Sequence, residues 1–175
     1  MISKKSLIAY FSRKGDNWFK GKIVTLEVGN TEIVARKIKE ITGGDLFEIK
    51  TVKQYPKDYY ETVEIAKEEK KQNARPELIN KLENISQYEV IFLGYPNWWG
   101  TMPMAVFTFL ESYDFSGKII APFCTHEGGG LGTSERDIRK LCPSAVVLPG
   151  LAIRGSRVYN ADKVILDWLK ELKLL

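Results

Sequence analysis

The chain has 175 residues, 44% hydrophobic and 27% charged, with a formal net charge of +4. That is one domain's length of ordinary globular composition, and no apolar run approaches the roughly 18 residues of a membrane span. The start lacks a signal peptide's apolar core and the cations alternate with anions, so a cytoplasmic chain without membrane or nucleic-acid partners is expected.

Residues 6–11 (Ser-Leu-Ile-Ala-Tyr-Phe) form a first predicted strand, and 31–42 a helix with Val34, Ile38 and Ile41 on one stripe and Gly43-Gly44 as its stop. A second strand is expected over 45–51, a charged amphipathic helix over 58–73 and a shorter helical continuation over 77–83. The third strand, 89–94, is almost wholly apolar, as a strand covered on both faces must be. A helix over 104–113, a fourth strand over 118–125 and a helix over 134–141 with Ser134 as its cap follow. Residues 145–148 start a fifth strand, with Pro149-Gly150 and Leu151-Ala152-Ile153 as an irregular extension. The last helix covers about 161–173. Strands alternating with helices imply an α/β fold with a parallel sheet, and in such sheets ligands bind beyond the carboxyl ends of the strands, where strand order reverses.

The loops at that edge are the unusual ones. After the third strand comes Tyr95-Pro96-Asn97-Trp98-Trp99-Gly100-Thr101-Met102-Pro103. Two adjacent tryptophans between prolines offer flat apolar surface to a flat aromatic ligand, or else fill core or an interface. Gly29-Asn30-Thr31, at the start of the first helix, offers free backbone N–H groups and two polar side chains to a phosphate, or a plain helix cap. After the fourth strand, Thr125-His126-Glu127-Gly128-Gly129-Gly130 permits close backbone approach or forms a long loop. No Gly-x-x-x-x-Gly-Lys-Ser/Thr nucleotide loop occurs. Cys124 and Cys142 read as packing residues, and one histidine, His126, does not build a metal site. One phosphate and one planar heterocycle satisfy the three loops together, and flavin mononucleotide (FMN) is the best match.

These motifs, with Tyr10-Phe11-Ser12 and Leu151-Ala152-Ile153-Arg154-Gly155, resemble those of flavodoxins and flavodoxin-like FMN proteins, in particular a bacterial subgroup with a Trp-Trp-Gly-Thr-Met-Pro loop. The resemblance runs nearly the whole length. It implies one three-layer flavodoxin-like domain over 1–175, with a five-stranded parallel sheet of order 2-1-3-4-5 and helices on both faces. It implies FMN between strands one and three: Ser12, Asn30 and Thr31 at the phosphate, Pro96, Asn97, Trp98, Trp99 and Gly100 beside the ring, and Thr125, Glu127, Gly128 and Gly129 at the ring edge. Peptide groups between Asn97 and Gly100 are expected to face the flavin N5.

One departure stands out. Residues 13–28 separate Ser12 from Gly29, with Trp18, Phe19, Ile23, Val24 and Leu26 making the insert apolar. It is expected to form a hairpin, either over the phosphate or on its own domain, or to reach toward a partner chain, which admits a homodimer.

Two functions remain open from sequence. One is an electron carrier between redox partner proteins; its basic character, with a sequence pI near 8.9, departs from the usual acidic flavodoxin and selects different partners. The other is an NAD(P)H-dependent reductase of quinones, flavins or other small acceptors, with Arg13, Arg154 or Arg157 greeting the dinucleotide. A binding module that has lost its flavin is a third class.

Overall fold

A computed structural model describes residues 4–175. The first strand, β1 (Ser6–Tyr10), is buried at all five positions. Its side chains divide between two cores with the period of two that a pleated strand imposes. Ile8 and Tyr10 join Val34 and Ile38 of α1 (Asn30–Thr42) and Ile165 and Leu169 of α5 (Asp162–Glu171). Leu7 and Ala9 join Phe109 of α3 (Met104–Glu111) and Ile138 of α4 (Ser134–Leu141) on the opposite face. The strand β5 (Val90–Pro96) repeats the division, with Phe92 on the first side and Ile91 and Leu93 on the second.

β1 lies between β4 (Asp45–Glu48) and β5, and β6 (Ile119–His126) follows β5, every pairing parallel. The outer edge of β6 carries two short strands, β7 (Val146–Val147) and β8 (Leu151–Arg154), also parallel to it. With β7 and β8 taken as one broken strand, the order is the expected 2-1-3-4-5. The sequence expectation of an irregular chain over 151–153 is corrected here. Leu151 pairs with Phe123 and Ile153 with Thr125 in regular register. The break lies only at Pro149-Gly150, where proline has no ladder N–H to give and the Gly150 N–H turns instead to the Glu135 carboxylate at 2.6 Å.

The helix expected over 77–83 is absent. Its apolar spacing, Leu78 and Leu82, mimics a helical stripe, but its backbone pairs with the chain leaving β4. The Val52 N–H donates to the Glu77 carbonyl and the Ile79 N–H to the Lys50 carbonyl, both at 2.9 Å, and Thr51 and Leu78 form an antiparallel bridge. Leu78 is thereby buried while Ile79 stays exposed.

The insert folds as an antiparallel hairpin, β2 (Gly15–Phe19) and β3 (Lys22–Leu26). Its two-residue turn is Lys20-Gly21, both at positive φ (50° and 80°), which matches the twist of the paired strands. The hairpin stands apart from the main sheet and docks on the amino end of α2 (Tyr59–Lys71) through the Asp16 N–H, 3.0 Å from the Lys57 carbonyl.

Candidate functional site

Chain order places β4 on one side of β1 and the later β5 on the other, so the crevice between β1 and β5 is the switch point of the sheet. A cavity of about 340 Å³ opens there, at the carboxyl ends of both strands. Asn30, Thr31, Pro96, Asn97, Trp98, Trp99, Thr125 and Glu127 line it; Ser12, Gly100, Gly128 and Gly129 do not.

Its first wall is the start of α1. The helix's first N–H groups have no partner within the helix. The Glu32 N–H finds Ser12 Oγ at 3.1 Å, so Ser12 works as a cap one insert away in sequence. Gly29 keeps these segments together: a Cβ there would lie 2.2 Å from Ser12 Oγ and 2.8 Å from the Arg13 carbonyl oxygen. Thr31 is buried, and its hydroxyl lies 2.8 Å from that of buried Thr125, tying α1 to the end of β6.

The second wall is a tight turn. The Trp98 N–H donates to the Thr101 carbonyl at 2.9 Å, with Trp99 (φ 55°) and Gly100 (φ 82°) as the central residues. Both at positive φ make this the hairpin-type turn, and glycine at the second place avoids the Cβ penalty. The two tryptophans then diverge. Trp98 is half-buried, with its ring edge-to-face against Phe11 (5.2 Å) and Tyr55 (5.0 Å). Trp99 is 44% exposed and reaches across to α2, its indole N–H donating to the Val63 carbonyl at 3.0 Å and the Lys67 ammonium standing 5.7 Å from its ring. The remaining carbonyls of the turn are engaged. Lys70 donates to that of Trp99, and the Thr133 N–H to that of Gly100 at 2.8 Å.

Asn97 joins this turn to the third wall. Its side-chain amide donates to the Gly130 carbonyl and accepts from the Gly100 N–H, each at 2.9 Å. In the loop after β6, the Gly128 N–H donates to His126 Nδ1 at 2.9 Å, which fixes a neutral imidazole with its proton on Nε2. Burial, and then the Arg154 cation, hold this ring below its usual 6.5, against the opposing pull of Glu127. Below pH 6.5 the unfolded chain therefore binds a proton that the folded loop refuses. The stability His126 contributes is present above that value and is lost as pH falls below it and through the folded ring's lower one. Melting temperatures of the wild type and His126→Gln between pH 7.5 and 5 should converge toward acid; parallel curves would refute this.

The remaining wall was not among the residues singled out for the site. The hairpin supplies Asn17 and Trp18, and α2 supplies Tyr59, Thr62, Val63 and Ala66. The Trp18 and Tyr59 rings lie 6.1 Å apart, at the junction of the two elements. Arg13 clamps that junction by donating to the carbonyls of Asp16 (2.5 Å), Pro56 (2.8 Å), Lys57 (2.7 Å) and Asp58 (3.2 Å). The apolar insert beside a phosphate-type loop was the signal for Trp18. For Val63 and Ala66, short apolar residues inside a charged helix, the signal was faint.

Two buried side-chain atoms of the lining residues lack a partner, Arg13 Nε and Glu127 Oε1. The second lies 2.5 Å from the point that a Cβ on Gly155 would occupy, as does Asn30 Nδ2. Both are buried atoms of residues that line one cavity, with no hydrogen-bond partner within the protein. The thiols offer nothing there: burial raises Cys124 to about 12 and Cys142 to about 11, so neither is a thiolate near neutrality.

A family model described as flavodoxin matches residues 5–172. Among solved structures, the chain is similar to a candidate flavoprotein from Bacteroides eggerthii (30% identity, 96% of this chain and 97% of that one, TM-score 0.78). A second candidate flavoprotein, from Bacteroides uniformis, is 27% identical over 93% of this chain and 98% of that one, with a TM-score of 0.74. A flavoprotein from Lactobacillus acidophilus, solved in complex with FMN, is 28% identical over 90% of this chain and 98% of that one, with a TM-score of 0.62. No curated protein matches the chain.

Proposed function

Because the chain belongs to the flavodoxin family, we propose that it binds FMN in the cavity between β1 and β5 and passes electrons through it. The observation that carries this reading is the meeting, in one cavity, of the α1 start, the Trp98–Trp99 turn and the end of β6. The FMN-bound relative from Lactobacillus acidophilus supports it. The residues suit the group. The free N–H groups and side chains of Asn30 and Thr31 suit a phosphomonoester, the Arg13 guanidinium adds a cation to the lining, and the indoles with Val63 and Ala66 suit a planar ring.

Bound FMN would supply reversible one- and two-electron redox chemistry. The chain's own part is to hold and shield it. Asn30 and Thr31 bind the phosphate end, while Ser12 secures the helix start behind them. Asn97 keeps the turn and the glycine loop at a fixed separation. With the Trp98, Trp99 and Gly100 carbonyls and the Asn97, Trp98 and Gly100 N–H groups engaged elsewhere, the Asn97 carbonyl and the Trp99 N–H are the peptide groups left to the ring edge. The Arg13 clamp holds Trp18 over the cavity and limits water's access to it.

Titration of FMN should quench its fluorescence at one equivalent and give a yellow protein; unquenched flavin would end the proposal. Anaerobic mixing of the loaded protein with NADPH tests the carrier reading. Slow bleaching is expected, and rapid two-electron bleaching would make the chain an NAD(P)H-dependent reductase. Trp99→Ala should weaken FMN binding roughly fivefold, for an aromatic contact on the order of 1 kcal/mol. Its melting temperature should change little, because the ring is largely outside the core. Unchanged affinity would remove Trp99 from the ring site.

A further inference from the structure

On the far side of the Trp98–Thr101 turn from the flavin cavity lies a second concavity, about 520 Å³ and wide open. Four cations line it, Lys70 of α2, Arg75, and Arg136 and Lys140 of α4, around a floor that includes Phe107. Asp137 is the lining carboxylate, and it already accepts from the hydroxyls of Thr101 (2.6 Å) and Thr133 (2.9 Å). Arg75 is committed to Glu111 by two contacts of 2.9 Å and lies over the Phe107 ring. Lys70, Arg136 and Lys140 keep their positive field. Arg136 approaches Asp137 only to 3.7 Å with 77% of its side chain exposed, and no carboxylate pairs with Lys140 among the described residues.

The position of these charges gives them a use. Lys70 donates to the Trp99 carbonyl and the Thr133 N–H to that of Gly100, so both rims of the concavity grip the turn whose other side lines the flavin cavity. Trp99, exposed and flanked by Lys67, stands at the junction of the two.

We propose that this face is the docking surface for a redox partner that presents a cluster of Asp and Glu side chains, with electrons crossing at the Trp99 turn. The inference rests on the flavin reading. A protein partner suits it better than a small anion because Lys70, Arg136 and Lys140 stand exposed and are spread over two helices. Such charges steer encounter and set orientation more than they add affinity.

Two measurements on the FMN-loaded protein test this, and loading itself, seen as yellow colour, tests the flavin reading separately. Hexacyanochromate(III), a redox-inert paramagnetic trianion, should broaden first the amide NMR signals near Lys70, Arg75 and residues 133–140. Being independent of electron transfer, this reading holds for the flavin-free protein too. In stopped flow, each ferricyanide takes one electron from the reduced protein and becomes ferrocyanide. Arg136→Glu combined with Lys140→Glu should slow that step about tenfold at low ionic strength and not at high salt. Lys39→Glu, on the other face of the sheet, should leave it nearly unchanged.

Broadening centred elsewhere, or rates insensitive to the double reversal, would overturn the proposal. Protection of the same amides by NADP⁺, with ferricyanide rates unaffected by the reversals, would also overturn it and reassign the concavity to a dinucleotide's phosphates.

Discussion

Gly29→Ala is expected to lower FMN affinity at least a hundredfold, equivalent to about 2.7 kcal/mol. The native backbone here is ordinary, with φ −66°, so the effect comes from space alone. A methyl group would sit 2.2 Å from Ser12 Oγ and 2.9 Å from the Arg13 carbonyl carbon. The hydroxyl can rotate away, but the Arg13 backbone is held through its guanidinium by four carbonyls. The loop must therefore open, which separates the α1 start from Arg13 and removes the Ser12 cap from Glu32. Ser12→Ala separates the two losses. Without the cap alone, stability should drop by about 1 kcal/mol while affinity falls much less than in Gly29→Ala. Titration calorimetry with FMN and chemical denaturation of both variants give the comparison. Equal affinity losses would mean that the cap, and not the close approach at Gly29, shapes the phosphate end.

The largest effect on stability is expected from Gly94→Ala, at about 3 kcal/mol. Gly94 lies inside β5 between β1 and β6, paired with Tyr10 and Phe123. An added Cβ would meet Phe123 at 2.2 Å from Cζ and 2.3 Å from Cε2. That ring is fully buried among Ile8, Val34, Phe92 and Ile153, so it has no free space to enter. Pairing the change with Phe123→Leu should recover part of the loss, since the smaller side chain vacates the contested volume. Urea denaturation of the two single variants and the double variant measures this coupling. Strictly additive losses would show that Gly94 is required for some reason other than the Phe123 ring.

These two glycines illustrate different degrees of legibility. Gly29 stands in a motif that reads from the chain as a helix start suited to a phosphate. Gly94 reads only as one more residue of an apolar strand, and its partner lies 29 positions away. The same contrast runs through the site. Trp98 and Trp99 are conspicuous as a pair, yet nothing local separates the wedge among Phe11 and Tyr55 from the ring that crosses to Val63. Leu78 and Leu82 have helical spacing, but the backbone groups of 50–52 compete for the same hydrogen bonds and win. Leu151 and Ile153 follow a proline and a glycine and so look irregular, although the ladder on β6 resumes directly after them.

From residue pattern alone came the alternation of strands and helices, the strand order implied by the flavodoxin resemblance, and the three loops at one edge. The alternation and the loops depend on periodicities of 2 or 3.6 residues and on turn chemistry that act over a few neighbours, whereas the strand order rests on the family resemblance. Tertiary structure decided the rest: that the insert closes one side of the cavity, that Arg13 fastens it to α2, and that cations from α2 and α4 meet beside the Trp99 turn. Those outcomes join groups tens of residues apart. They hinge on which carbonyls stay unpaired and which faces stay open once the sheet has formed, quantities that have no local signature in the chain.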